Sequence, residues 1–124
     1  MATIVVIDDD EDLRAFVGFH LGKGGHTVIP ACNGFEGIEL VERHRPDLII
    51  LDVMMPGLDG VAICKRLKRH DEIGQIPVLF LSAKRGAVER IRGIESGGDA
   101  YITKPFSIAE LAQAVQTTLH RPDC

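Results

Sequence analysis

Five consecutive acids, Asp8-Asp9-Asp10-Glu11-Asp12, stand out as residues that could do chemistry, with Asp52, Ser82 and the pair Thr103-Lys104. Each of these sites directly follows an apolar run: Ile4-Val5-Val6-Ile7, Leu48-Ile49-Ile50-Leu51, Val78-Leu79-Phe80-Leu81 and the weaker Ala100-Tyr101-Ile102. Carboxylates gathered in one place repel one another unless a cation sits between them. Oxygen-only ligands favour a hard ion. Mg²⁺ typically takes one or two carboxylates, waters and an anionic partner. A site of Asp8, Asp9 and Asp52 would therefore hold Mg²⁺ and leave room for a phosphoryl group. Lys104 would supply positive charge to that group, and Ser82 a hydrogen-bond donor. A carboxylate can itself act as nucleophile and form an aspartyl phosphate. Metal and lysine would then stabilise charge on the transferring oxygens.

That chemistry requires residues far apart in sequence to meet, so the elements must bring them together. Short, continuous apolar runs bounded by turn residues predict strands buried on both faces. A fifth strand fits Thr27-Val28-Ile29. Helical spacing fills the gaps. Leu13, Phe16, Val17, His20 and Leu21 share one face. Residues 34–44 follow Asn33, a good N-cap. Residues 60–70 carry Val61, Cys64 and Leu67, and residues 86–96 carry Val88, Ile91 and Ile94. In the last segment, 107–120, Ser107 and Glu110 form a capping box ahead of Leu111, Ala114, Val115 and Leu119.

Strand and helix thus alternate five times, which predicts a parallel sheet covered by helices on both faces. Right-handed crossovers leave few arrangements. The expected fold is α/β: a flavodoxin-like, doubly wound (βα)5 three-layer sandwich with sheet order 2-1-3-4-5. Ligands of such sheets bind beyond the carboxyl ends of the strands where the order reverses, here between strands 1 and 3. Neighbouring strands lie about 4.8 Å apart, so the three carboxylates, the hydroxyl and the ammonium converge on one edge.

Composition fits one domain of 124 residues, with 45% hydrophobic and 26% charged residues. Residues 1–120 are expected to form it, with 121–124 as a tail or the start of a linker. No apolar run approaches the ~20 residues that span a bilayer, and no signal peptide is evident. A cytoplasmic location is expected, with Cys32, Cys64 and Cys124 reduced. The net charge of −4 is local: without the run at 8–12 the chain carries 14 basic and 13 acidic residues. The basic residues are scattered and aromatics are few, which argues against a nucleic-acid surface.

Plainer readings apply to several residues. Asp10, Glu11 and Asp12 suit the start of a helix by complementing its dipole. Gly57 and Gly60 read as turn glycines permitting unusual dihedrals. The histidines suit surface or helix-face positions. Gly22-Lys23-Gly24-Gly25 follows a helix and precedes a strand, the wrong context for a nucleotide loop.

Four motifs together resemble a response-regulator receiver domain. They are Ile4-Val5-Val6-Ile7-Asp8-Asp9-Asp10, Leu51-Asp52-Val53-Met54-Met55-Pro56-Gly57-Leu58-Asp59-Gly60, Leu81-Ser82-Ala83 and Asp99-Ala100-Tyr101-Ile102-Thr103-Lys104-Pro105-Phe106. The resemblance covers residues 3–120. It implies that Asp52 is the phosphoacceptor, charged from a phosphohistidine on a sensor histidine kinase or a histidine phosphotransfer protein. Asp9, Asp52 and the backbone carbonyl of Met54 would ligate Mg²⁺, with Asp8 acting largely through bound water. Lys104 would contact the phosphoryl group, Ser82 would swing toward it, and Tyr101 would turn inward behind it. The bond before Pro105 would be cis. Met54 and Lys84 would flank the site and tune the lifetime of the phosphorylated state. The face made by residues 86–96, the strand at 100–102 and the last helical segment would be read by an effector protein or a fused output domain. The resemblance implies no membrane partner. The stretch 87–95 is similar to the corresponding helix of winged-helix regulators, which often dimerise through that face. Here the last helical segment has no basic residue before Arg121, and Ala100 occupies a position often acidic, so a weak homodimer is the most that is expected.

Two other functions compete with a phosphorylation switch, which would catalyse only its own phosphorylation and dephosphorylation. A Mg²⁺-dependent phosphohydrolase with an aspartate nucleophile would carry a second aspartate two positions on, where this chain has Met54. A phosphorylation-independent interaction module would have no need of Asp52, Lys104 or the acidic pair.

Overall fold

The computed structural model describes residues 2–53, 60–82 and 99–119. In chain order these form β1 (Thr3–Ile7), α1 (Glu11–Lys23), β2 (Thr27–Ala31), α2 (Gly34–His44), β3 (Leu48–Asp52), α3 (Gly60–Lys68), β4 (Val78–Ser82), β5 (Ala100–Thr103) and α4 (Ile108–Leu119). The five strands are parallel and ordered β2-β1-β3-β4-β5. This is the doubly wound, flavodoxin-like arrangement expected from the alternation of elements. The helical segment expected at 86–96, Gly57, Cys124 and the tail 121–124 lie outside the described residues.

Burial explains why the apolar runs become strands. Every residue of β3 and β4 is buried, as is β1 from Ile4 onward. Successive strand side chains point to opposite faces, so each strand feeds two cores. Val5, Ile7, Ile49, Leu51, Val78 and Phe80 pack with Ile38 and Val41 of α2 and Val61, Cys64 and Leu67 of α3. Ile4, Val6, Leu48, Ile50, Leu79 and Leu81 pack with Val17 and Leu21 of α1 and Leu111 and Val115 of α4. β2 and β5 are the edges and are only partly buried. The edge position lets β2 accept Pro30, which has no backbone donor.

Local capping fixes the helix starts. Asp10 accepts from the amides of Asp12 and Leu13 and is the N-cap of α1. Asn33 accepts from Glu36 N at the start of α2. Ser107 and Glu110 exchange reciprocal bonds of 3.0 and 3.1 Å before α4. At the other end of α2, Arg45 adopts the left-handed region (φ 47°) and pairs with Glu72. That guanidinium holds the exposed Glu72 carboxyl below its ordinary range. The depressed value means that the pair's small contribution exists above the carboxyl's unfolded pKa and fades as pH falls through its folded one.

One expectation needs correction. Gly60 does not serve an unusual dihedral: among the described glycines, only Gly25 has a positive φ. Its reason is close approach, because a Cβ there would lie 2.1 Å from the Asp52 carbonyl oxygen. The start of α3 therefore lies directly against the strand end that carries Asp52. Gly22, inside α1, has nothing within 4 Å of its notional Cβ. Gly60→Ala should cost about 1–3 kcal/mol, the range for overpacking a well-packed site. Gly22→Ala should instead stabilise by about 0.5–1 kcal/mol through helix propensity and lost unfolded-state entropy. Urea unfolding midpoints of the two variants check both signs.

Candidate functional site

The register of the sheet builds the site. Ile7 pairs with Leu51 and Asp52 with Leu81, so Asp8 and Asp52 leave the sheet at the same level and Ser82 follows one step on. Ser82 in turn pairs with Thr103, and the next amide, Lys104 N, donates to Ser82 O at 2.7 Å. Oxygen atoms of Asp8, Asp9 and Asp52 all lie within 4.8 Å of one another. Lys104 Nζ donates to Asp8 Oδ2 at 3.1 Å and lies 3.6 Å from Asp52 Oδ2. The Lys104–Pro105 peptide bond is cis.

The three carboxylates differ sharply in how they are held. Asp8 is fully buried and tied at every polar atom. Its amide donates to Ala31 O at 3.1 Å. Its Oδ1 accepts from Asp10 N at 2.9 Å and its Oδ2 from Lys104. Its carbonyl accepts from Arg14 Nη1 at 2.6 Å. Asp52 is 4% exposed. Asp9 is exposed, and its carboxylate makes no hydrogen bond to another described residue.

Ser82 is buried at the end of β4. Tyr101 sits in β5 opposite Phe80 and is half-buried against the core on the α2–α3 side. Met54 and Lys84 lie outside the described residues. The sequence reading placed the acids, the hydroxyl and the lysine by topology but missed Arg14. A signal was available: helical side chains lean toward the N-terminus, so a basic residue one turn into α1 reaches back to the loop that precedes it.

The donor set suits a hard divalent cation. It consists of carboxylate oxygens alone, one carboxylate faces solvent, and no described histidine or cysteine belongs to the cluster. Among the described residues no helix is long and apolar enough to cross a membrane.

These features define a doubly wound α/β domain with an acidic pocket and a lysine at its switch point. The sequence pattern of the response regulator receiver domain matches residues 4–116, and the chain belongs to that family. Members are signalling switches of two-component pathways. The chain is 40% identical over 123 residues to the DNA-binding dual master transcriptional regulator RpaA of Synechocystis, covering 99% of this chain and 51% of that protein. It is 39% identical over 120 residues to the alkaline phosphatase synthesis transcriptional regulatory protein PhoP of Bacillus subtilis, covering 97% and 49%. It therefore spans about half the length of these curated relatives. Among solved structures, the receiver domain of the Francisella response regulator 1452 superposes with a TM-score of 0.89 at 36% identity, over 98% of each chain. The Vibrio cholerae chemotaxis protein CheY4 superposes with a TM-score of 0.91 at 27% identity, over 95% of this chain and 98% of that one.

Removing the ammonium while leaving the acids exposes the electrostatic balance of the site. Asp8, itself fully buried, would lose its hydrogen-bonded cation, and breaking one side of a buried pair typically costs about 3–5 kcal/mol. Lys104 is itself 23% exposed, so water offsets part of this. Lys104→Met should therefore destabilise the metal-free protein by about 2–3 kcal/mol, read from denaturant unfolding. An unchanged midpoint would show that the ion pair contributes nothing.

Proposed function

We propose that this chain is a phosphoacceptor switch in which Asp52 receives a phosphoryl group from a phosphohistidine donor, a sensor histidine kinase or a histidine phosphotransfer protein. The observation that carries the reading is the meeting of Asp8, Asp9 and Asp52 within 4.8 Å, with Lys104 Nζ 3.6 Å from Asp52. In the step proposed, an Asp52 carboxylate oxygen attacks phosphorus as the N–P bond of the donor breaks. The imidazole leaves and takes up a proton, and Asp52 becomes an acyl phosphate. Lys104 faces the incoming group and offsets its negative charge. Mg²⁺, when bound, neutralises further charge on the phosphoryl oxygens. Asp9, Asp52 and the Met54 carbonyl would hold that ion, and Asp8 would act through water. The tethering of both Asp8 oxygens and the freedom of Asp9 support this division.

Ser82 and Tyr101 would couple the acyl phosphate to the surface, because one ends β4 beside the site and the other lies on the adjacent edge strand. An effector protein or a fused output domain would read that change, and a weak homodimer is the most this face would form. Some relatives are named as transcriptional regulators, one of them DNA-binding; nucleic-acid contact would belong to such an output domain and not to residues 1–120. The protein would work in the cytoplasm. Met54 and Lys84 would set the lifetime of the acyl phosphate by governing access of water.

Incubation with a small acyl-phosphate donor and Mg²⁺ tests the proposal by intact-protein mass. The wild type should gain one phosphoryl group and Asp52→Asn none. Omitting Mg²⁺ should slow the reaction about 100-fold or more, the scale of one lost element of charge stabilisation. Sustained turnover of phosphoesters would point instead to a hydrolase. Absence of an adduct would leave an interaction module and overturn the reading.

A further inference from the structure

We propose that Arg14 is a positioning residue for the divalent-cation site, and that it acts on Asp9 through the Asp8–Asp9 peptide. The inference rests on the reading of the acidic cluster as a cation site. It starts from the asymmetry between the two neighbouring acids. Asp8 has both carboxylate oxygens bonded within the protein, whereas the Asp9 carboxylate has no hydrogen bond to another described residue. Whatever places Asp9 must therefore act on its backbone.

Two backbone bonds hold the turn just before it. The Asp8 amide donates to Ala31 O at 3.1 Å, which ties the turn to the end of β2. Arg14 Nη1 donates to the Asp8 carbonyl at 2.6 Å. That carbonyl belongs to the same planar unit as the Asp9 amide. Holding it fixes the plane from which Asp9 departs. A charged donor makes a stronger bond than a neutral one, and the Arg14 side chain is half-buried between helix and loop. Its own backbone is secured one turn into α1, where Arg14 N donates to Asp10 O at 3.0 Å. The guanidinium thus ties α1 to the acidic turn at the point nearest the untethered ligand.

Simple electrostatics and positioning predict opposite signs. A cationic side chain beside a divalent-ion site repels the ion, so deleting it should tighten binding if charge alone matters. If Arg14 orders Asp9, deleting it should weaken binding. Loss of a group that orients a metal ligand typically lowers affinity about 10–100-fold. The exposed ligand here argues for the lower end, about tenfold.

Calorimetric titration of the full chain with Mg²⁺ measures this directly. Arg14→Ala should weaken Mg²⁺ about tenfold, and Arg14→Lys, which keeps a charged donor, should recover most of the affinity. In an Asp9→Asn background the Arg14→Ala effect should vanish, because coupled residues are non-additive. Thermal unfolding without metal checks that each variant is folded. With Mg²⁺ saturating, Arg14→Ala should still accept phosphoryl from the acyl-phosphate donor. Equal or tighter Mg²⁺ binding by Arg14→Ala would overturn the inference alone, as would an undiminished effect in the Asp9→Asn background. A wild type that binds no Mg²⁺ would overturn the cation-site reading, and this inference with it. If Arg14→Ala fails to fold, Arg14→Gln takes its place: it removes the charge but can still donate, and must bind Mg²⁺ more tightly than the wild type for the charge account to survive.

Discussion

Mutual repulsion among three carboxylates, met among the described residues by the Lys104 ammonium, is the constraint on which the rest of the molecule depends. Two like charges about 4 Å apart cost about 4 kcal/mol at an effective dielectric of 20. A flexible loop would relieve that by spreading. Here two of the acids sit at the ends of buried strands whose register is fixed on both faces by packed side chains. Sliding β1 against β3 by one residue would turn every core side chain to the wrong face. The cores on either side of the sheet thus supply the force that keeps the acids together. Lys104 arrives from β5, 96 positions from Asp8 in sequence. Bringing it there requires the complete sheet order, so the electrostatics of the site and the topology are one problem.

The gradient of burial across the sheet matters for how such a site could signal. β3 and β4 are buried at every residue, whereas β5 is only half-buried and, at the sheet edge, pairs with β4 alone. Regions with fewer buried contacts open at lower free energy than the core. Charge chemistry at the ends of β1 and β3, as proposed, would therefore act from a stiff platform on a softer neighbour. Tyr101 and Lys104 both belong to that softer side. In the proposed switch, a change in charge at Asp52 would alter what Lys104 must balance, and β5, the described edge strand on that side of the site, would have room to respond. The proposed switch needs both parts, since a soft platform would lose the pocket and a stiff edge would lose the signal.

The fold was legible because its cause is local and repeated. Each buried strand is a run of apolar residues, and the capping residues Asn33 and Ser107 stand where helices begin. The site was legible at Asp8, Asp52, Ser82 and Lys104 because topology alone carries strand ends to one edge. Arg14 and Gly60 were not legible in the same way. Arg14 acts on a backbone carbonyl, so no pairing of side-chain types announces it. Gly60 is required by the approach of α3 to the Asp52 carbonyl, a tertiary distance with no periodic trace. Its place in a Pro-Gly-rich turn suggested a dihedral requirement instead. The difference between these groups is whether a residue's role follows from its element's direction or from contact between two elements.

The same distinction explains why adjacent acids take different parts. Asp8 continues the line of β1 into the pocket, where burial obliges its oxygens to find donors, and it finds Asp10 N and Lys104. A carboxylate so committed helps hold the pocket together and has little freedom to follow an ion. Asp9, one residue further, has left the sheet and faces solvent, so its lone pairs stay free for a ligand that exchanges its waters. Freedom of the side chain is useful only if the backbone beneath it does not wander. A ligand that drifts must be ordered on binding, and that ordering opposes affinity. A bond to the preceding carbonyl resolves the conflict, because it restrains the main chain while touching neither carboxylate oxygen. An arginine on the neighbouring helix can supply that bond from outside the pocket, and its charge stays aimed at the carbonyl instead of at the acids.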